Sequence, residues 1–288
     1  MKTWFKSLVR KVIPRRMPTP VVVPSASDDP TFAERKQRKL DRLGSLFQES
    51  VPRNPSAPSY DYLSDELRRQ FHIDDTENVS AHDYDDPAQE IIRRHAGGWV
   101  LDCGAGLRRI YYDNVVNYEI CPYPTTDVRG VAERLPFRDG VFDAVFSFNV
   151  LEHVRDPFAA ASELIRVLKP GGELYTVVPF LQPYHAFPHH YFNMTAQGLA
   201  RLFGDTITID KQEVNIGGHP VFMLTWVLRR WAEQLPPAAR SRFLRLRVGE
   251  LIGDALPHIE KSYCSELPES ARFELAATTS LFGRKRLV

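Results

Sequence analysis

Residues 99–106 read WVLDCGAG, a short apolar run followed by an aspartate and a Gly-x-Gly turn. The run predicts a buried strand. The glycines at 104 and 106 let the backbone turn sharply and let a ligand approach without a Cβ in the way. A dinucleotide fingerprint would need a third glycine where Arg109 stands. The stretch therefore predicts a nucleoside-cofactor site at the end of a first strand, and it argues against a nicotinamide-linked dehydrogenase.

Asp102 lies at the junction of this strand and its turn. A carboxylate at that point suits a ligand that carries a positive charge and an amino-acid tail. S-adenosylmethionine is such a ligand. We therefore expect Asp102, Gly104 and Gly106 to contact the methionine end of this cofactor.

The middle third of the chain resembles the class I S-adenosylmethionine-dependent methyltransferases. Five blocks carry the resemblance in the family's order: VLDCGAG at 100–106, ERLPF at 133–137, FDAVFS at 142–147, VLEHV at 150–154 and ELIRVLKPGG at 163–172. The stretch VPFLQPYH at 178–185 is also similar to a bacterial subgroup of small-molecule or saccharide type, whose substrates are mostly unassigned. The resemblance implies a methyl-transferring enzyme with S-adenosylmethionine as its cofactor.

The resemblance also implies which residues hold the adenosyl group. Glu119, at the end of the second strand, would accept hydrogen bonds from the ribose hydroxyls. Ile120 and Leu135 would form apolar walls for adenine. The family often places an aspartate where Val131 stands here, which leaves the adenine amino group to backbone atoms or to Glu133. The end of the fourth strand would line the cofactor's other side with Ser147, Phe148 and Asn149.

Histidines supply the candidate catalytic residues. An oxygen acceptor needs its proton removed, and histidine is well matched to that task near neutral pH. His153 follows the fourth strand, at the edge of a parallel sheet where ligands bind; alternatively, it caps the next helix or packs beside Glu152. His185 and His189 are further candidates, because they lie in the loop 184–192, which is rich in histidine and aromatic residues.

We expect no metal ion from the sequence. Quinone O-methyltransferases resemble the chain at 151–154, and some of that group hold a divalent ion with nearby carboxylates. Asn149 stands where they carry an acidic residue, which removes a ligand for a hard cation. His185, His189 and His190 offer nitrogen ligands, but the sequence identifies no carboxylate from a third element.

Alternation of strands and helices predicts an α/β fold, a Rossmann-like doubly wound sheet that is mostly parallel with an antiparallel final strand. Strands are expected at 99–103, 115–120, 126–129, 142–148, 172–179, 206–214 and 272–283, and helices near 157–168 and 195–203. Only residues 107–114 and 121–125 connect the first three strands, which is too short for the usual crossover helices. The segment 31–95 is the candidate that covers the sheet instead.

The chain divides into three parts at this level. Residues 1–30 form a basic amphipathic segment with a proline-rich linker, 31–95 a helical N-terminal extension, and 96–288 a methyltransferase domain with a helical insertion at 219–256. Residues 1–16 carry a basic and an apolar face, which fits either peripheral contact with an anionic membrane surface or a solvated tail.

Composition bounds the function further. A net charge of +1 and the lack of a basic stripe in the core give no support for nucleic-acid binding. Three widely spaced cysteines predict a reducing, cytoplasmic compartment, with membrane contact at the inner surface if residues 1–16 bind it. The leading hypothesis is methyl transfer to a small-molecule, saccharide or lipid-linked acceptor, at oxygen with a histidine base. The alternative is a non-catalytic module of this fold that binds a partner.

Overall fold

A six-stranded parallel sheet organises the chain. The structure is a computed structural model that describes residues 30–74, 81, 83–185, 188–204, 206–252 and 255–276. The strands are β1 (Tyr60–Asp61), β2 (Val100–Cys103), β3 (Val115–Glu119), β4 (Val128–Arg129), β5 (Phe142–Phe148) and β6 (Leu168–Val177). Their order across the sheet is β1-β4-β3-β2-β5-β6, and every pair is parallel.

Helices flank this sheet and continue past its last strand. They are α1 (Phe32–Leu43), α2 (Asp65–Phe71), α3 (Asp86–Arg94), α4 (Pro157–Val167), α5 (Ala196–Phe203), α6 (Pro220–Gln234), α7 (Pro237–Phe243), α8 (Val248–Leu251), α9 (Ser262–Ser265) and α10 (Glu269–Glu274). The two helices that pack beside the central strands begin at aspartate caps. Asp85 accepts from the backbone of Ala88, and Asp156 accepts from Phe158 and Ala159.

Strand β2 is covered on both faces. Leu101 belongs to the main core, which includes α1 and α4, whereas Val100 belongs to a second cluster with Ile92 of α3. Because successive side chains of a strand point to opposite faces, burial on both sides gives the continuous apolar run seen in the sequence. The predicted doubly wound arrangement is therefore present around β2.

The N-terminal extension is part of this fold. Residues 107–114 and 120–127 contain no helix, as their length predicted, and α1 packs on the sheet. Lys39 of α1 forms an ion pair of 2.7 Å with Asp127, and both side chains are at most 1% exposed. The Lys39 ammonium also donates to the carbonyl of Val115, and β1 extends the sheet by pairing with β4. The extension therefore replaces the crossover helices and adds an edge strand.

The prediction of an antiparallel final strand is wrong, because the described sheet is wholly parallel. Residues 206–214 are irregular although Ile207 and Ile209 alternate with polar residues. Strand propensity depends on packing against a neighbour, and no described strand pairs with the outer edge of β6. The start of the predicted strand 272–283 is helical in α10, because Ala271 is buried in a helical cluster; residues 277–283 lie outside the described part.

The helical region after residue 219 extends further than the predicted insertion at 219–256. Its helices α6, α7, α9 and α10 share a core of their own, which includes Leu235, Phe243 and Tyr263. The Trp231 indole donates to the carbonyl of Tyr263 across this core. No helix in the described part of the chain combines the length and hydropathy needed to cross a membrane. The predicted amphipathic segment 1–16 lies outside the described residues.

We expect the substitution Lys39→Met to lower the free energy of unfolding by about 3–5 kcal/mol, because it leaves the Asp127 carboxylate buried without its counter-ion. Urea denaturation followed by circular dichroism measures this loss. The exposed pair of Arg93 and Glu90 is the matched control: Arg93→Met should cost less than about 1 kcal/mol. Equal losses in the two variants would contradict a structural role for the buried pair.

Candidate functional site

The glycine turn after β2 has the backbone conformation that the sequence predicts. Gly104 has a φ of +78° and Gly106 a φ of +61°, both in the left-handed region that favours glycine. A Cβ at position 104 would lie 2.1 Å from a methyl carbon of Val150. The turn is therefore in close contact with the loop that follows β5, which carries His153.

Asp102 is fully buried beside this turn and is only partly paired. One carboxylate oxygen, Oδ2, accepts from the Tyr84 hydroxyl at 2.5 Å and from two nitrogens of Arg108, at 2.9 and 2.7 Å. The other oxygen, Oδ1, has no hydrogen-bond partner in the described protein. A buried polar atom without a partner is costly, so Oδ1 is the part of this side chain that suits a ligand.

Glu119 lies at the end of β3 and braces the glycine turn. Its carboxylate accepts from the backbone N–H of Gly106 at 2.8 Å, and from those of Ile120 and Cys121 at 2.8 and 3.2 Å. Burial raises the pKa of Glu119, although these three donors oppose that effect. The structure thus brings Asp102, Gly104, Gly106 and Glu119 together at the carboxyl ends of two neighbouring strands.

The expected adenine walls, Ile120 and Leu135, belong to different hydrophobic clusters. Ile120 packs in a small cluster with Leu63 and Leu67 of the N-terminal extension. Leu135 is fully buried in the main core. Glu133 is buried too, and its carboxylate accepts from the backbone of Arg155 and Asp156 at the start of α4. Leu135 and Glu133 therefore have structural contacts that the sequence motif does not reveal; their contact with adenine stays a prediction.

The end of β5 lies next to β2 in the sheet, as the predicted site requires. Ser147 is fully buried, and its hydroxyl has no hydrogen-bond partner among the described residues. Phe148 packs against Tyr175 with ring centroids 4.8 Å apart. Asn149 is exposed and has a φ of +54°, so the chain turns sharply where the strand ends.

Three histidine rings meet beyond this turn. The ring centroids of His153 and His185 are 5.1 Å apart, and that of His190 lies 4.3 Å from His185. The Nε2 atom of His153 is 3.7 Å from a carboxylate oxygen of Glu152. His189, in contrast, directs its Nε2 to the carbonyl of His72. Of the predicted catalytic histidines, the structure brings His153 and His185 together and directs the ring of His189 elsewhere.

Burial controls the protonation of this group. It lowers the pKa of His153 to about 4, and it also lowers that of His185. Burial raises the pKa of Glu152 to about 8. At neutral pH both imidazoles are therefore uncharged and Glu152 is mostly protonated. An uncharged imidazole keeps one nitrogen lone pair that accepts a proton or binds a metal ion.

Sequence reasoning missed three participants in the site. Tyr84 and Arg108 bind Asp102, and the Arg108 guanidinium also lies 4.2 Å above the Tyr84 ring. Glu152 was considered only as a neighbour of His153. A basic residue six positions after Asp102 is a weak sequence signal for the contact between Arg108 and Asp102. No nearby residue pattern predicts that Tyr84 binds Asp102 or that the Glu152 side chain is buried.

Comparisons with known proteins agree with this geometry. Residues 78–176 match the family described as methyltransferase domain. A protein of Mycolicibacterium smegmatis named "probable S-adenosylmethionine-dependent methyltransferase" is 34% identical over 107 residues, which cover 32% of this chain and 42% of that protein. A ubiquinone/menaquinone biosynthesis C-methyltransferase of Shewanella halifaxensis is 36% identical over 83 residues, which cover 29% of this chain and 33% of that protein.

One similar solved structure is a 1,6-didemethyltoxoflavin-N1-methyltransferase of Burkholderia thailandensis. The two chains are 22% identical, the match covers 45% of this chain and 70% of that chain, and the TM-score is 0.36. The strand order, and not this likeness, defines the fold. The match spans less than half the length of each of these two curated relatives. The family match and these relatives agree with the predicted class of the domain, an S-adenosylmethionine-dependent methyltransferase, and with the predicted cofactor.

We expect Gly104→Ala to lower the free energy of unfolding by about 2–4 kcal/mol, since the new methyl group meets Val150 and the backbone conformation is unfavourable for alanine. Gly97→Ala is the control, because a Cβ at position 97 has no atom within 4 Å; it should change stability by less than about 1 kcal/mol. Thermal and urea denaturation of both variants measure the difference. A Gly104→Ala protein as stable as the control would show that the turn is not packed against the β5 loop.

Proposed function

We propose that this protein transfers a methyl group from S-adenosylmethionine to an oxygen atom of a small-molecule, saccharide or lipid-linked acceptor. The observation that carries the proposal is the contact between the glycine turn and the loop of His153. That contact joins the turn after β2, the expected cofactor site, to the loop after the adjacent strand β5, which carries an uncharged histidine.

The residues at the end of β2 fit the amino-acid tail of the cofactor. That tail carries an ammonium and a carboxylate, and the site offers the unpaired Oδ1 of Asp102 with the Arg108 cation beside it. An acceptor for the ammonium and a cation near the carboxylate match both charges. Glu119, at the end of β3, is the expected partner of the ribose hydroxyls and also supports the turn.

The cofactor supplies an electrophilic methyl group on a sulfonium, and transfer to oxygen is an in-line displacement in which positioning contributes much of the rate. His153 is suited to take the acceptor's proton. Its Nδ1 is engaged with the carbonyl of His189 at 2.5 Å, and a carbonyl only accepts, so Nδ1 carries the ring proton. The Nε2 lone pair is left to accept the proton of a hydroxyl group.

Exposed aromatic and apolar side chains lie in the same segment of the chain as the histidines and support the choice of acceptor class. They are Phe180, Leu181, Tyr184, Tyr191 and Phe192, and the Tyr184 ring stacks on His190 with centroids 5.8 Å apart. Flat rings at the mouth of a site favour stacking on a sugar ring or contact with a lipid chain. The membrane contact predicted for residues 1–16 would suit a lipid-linked acceptor and stays a prediction.

We expect S-adenosylmethionine and S-adenosylhomocysteine to bind with micromolar dissociation constants in isothermal titration calorimetry. Glu119→Ala should weaken binding at least tenfold, because the ribose loses its acceptor and the Gly106 N–H of the turn loses its hydrogen bond. Glu90→Ala, which removes an exposed carboxylate of α3, is the control and should bind normally. Absence of binding to the folded wild-type protein would favour the partner-binding module instead.

A second expectation concerns turnover. In an acceptor screen with radiolabelled cofactor, starting from sugars and lipid-linked precursors, His153→Ala should bind cofactor normally yet lose about 10²–10⁴-fold in kcat. The control is His258→Ala, which removes a histidine that is hydrogen-bonded to Tyr263 in the helical region. Full activity of the His153 variant would exclude this residue as the proton acceptor.

A further inference from the structure

Glu152 has an environment that the methyl-transfer proposal does not use. Its side chain is fully buried, and neither carboxylate oxygen has a hydrogen-bond partner among the described residues. Burial of a carboxyl group without any partner is unfavourable, whether it is charged or neutral. One of these oxygens lies within 4.8 Å of a ring nitrogen of His153 and of a ring nitrogen of His185. A ligand that binds to the two histidines would therefore also satisfy the Glu152 carboxyl group.

The two histidines each present one nitrogen lone pair. The Nδ1–H of His153 donates to the carbonyl of His189 at 2.5 Å, and the Nδ1–H of His185 donates to the carbonyl of Pro183 at 2.8 Å. Because carbonyls only accept, the proton of each uncharged ring is on Nδ1 and the lone pair is on Nε2. Histidines that bind metals in proteins are commonly oriented in this way, by a backbone carbonyl on the other ring nitrogen.

The other histidines of the loop are engaged elsewhere. The Nδ1 of His190 accepts from the backbone N–H of His185 at 3.1 Å, and its Nε2 donates to Asn193 at 3.0 Å. The Nε2 of His189 lies 2.9 Å from the carbonyl of His72. These hydrogen bonds occupy three imidazole nitrogens of His189 and His190. The Nε2 atoms of His153 and His185 remain available, and both rings belong to the group that contains Glu152.

We propose that Glu152, His153 and His185 bind one divalent first-row transition-metal ion of the zinc type. Their ligand atoms all lie within 4.8 Å of one another. Adjacent ligands of a tetrahedral zinc ion are about 3.4 Å apart, so the three groups need to draw together by up to about 1.4 Å. Two imidazoles and one carboxylate favour zinc, cobalt, nickel or iron(II) over magnesium and calcium, which prefer oxygen ligands.

A site with three protein ligands leaves one coordination position open. If the proposed methyl transfer holds, an acceptor hydroxyl at that position would have its pKa lowered and release its proton to solvent. The resulting oxygen would form a bond to the methyl carbon while the carbon–sulfur bond breaks and its electron pair stays on sulfur. This role rests on the proposed function, and in the metal-bound protein the ion would replace His153 as the group that activates the acceptor. Metal binding itself depends neither on methyl transfer nor on this activating role.

Binding of Zn²⁺ and Co²⁺ to the EDTA-treated full chain, without cofactor or acceptor, tests the site. We expect one equivalent of Zn²⁺ in calorimetry and a visible absorption band of bound Co²⁺. Glu152→Gln keeps the shape of the side chain and should weaken binding at least about 100-fold, as should His185→Ala, because each removes a direct ligand. His258→Ala should bind as the wild type does, and circular dichroism checks that each variant is folded.

The outcomes separate this inference from the proposed function. No binding of either ion, or binding that Glu152→Gln and His185→Ala leave unchanged, would overturn the metal site. Failure to bind S-adenosylmethionine would overturn the methyl-transfer proposal and leave the metal result standing. If one equivalent of Zn²⁺ binds and methyl transfer also occurs, activity that falls on EDTA treatment and returns with Zn²⁺ would assign the activating role to the ion. Activity that is indifferent to EDTA would overturn that role and assign the proton to His153.

Discussion

The buried carboxylate of Asp127 is the interaction on which the rest of the structure depends. It pairs with the Lys39 ammonium of α1, accepts from the Tyr111 hydroxyl, and accepts from the backbone N–H of Asn117 in β3. These contacts join the N-terminal extension, the short connection after β2 and the strand that follows. A chain without its first crossover helices would leave one face of the sheet exposed, and this ion pair fixes the replacement helix there. Loss of either partner of this buried ion pair lowers the stability of the fold, because the other partner is left as a buried charge without a counter-ion.

At the carboxyl edge of the sheet, in contrast, several buried polar atoms have no hydrogen-bond partner. Asp102 has one oxygen paired and one unpaired, Ser147 has no hydrogen-bond partner, and Glu152 has neither oxygen paired among the described residues. Unpaired buried polar atoms cost stability, and they concentrate here at the end of two adjacent strands. The distribution is typical of a binding region, because a protein retains such atoms where a ligand completes their hydrogen bonds or coordination.

The local features of the core were predictable from the sequence. Strand β5 was predicted at its observed residues, and β2, α4 and α5 within one residue at each end, since continuous apolar runs and helix caps are local signals. The strand at 206–214 and the short β1 were not predictable in the same way. A strand exists only if another strand pairs with it, and no residue pattern within the segment states whether a neighbour is present.

The sequence by itself determined the class of fold, the glycine turn and the chemical types that line the site, because these depend on backbone freedom and on side-chain identity. Only the tertiary structure decided which histidines meet, where Glu152 points and how Arg108 and Tyr84 share Asp102. Those choices follow from hydrogen bonds between segments far apart in the chain, such as that between Tyr84 and Asp102 or between His189 and His72. Burial then sets the protonation of each group, and burial is a property of the folded chain alone.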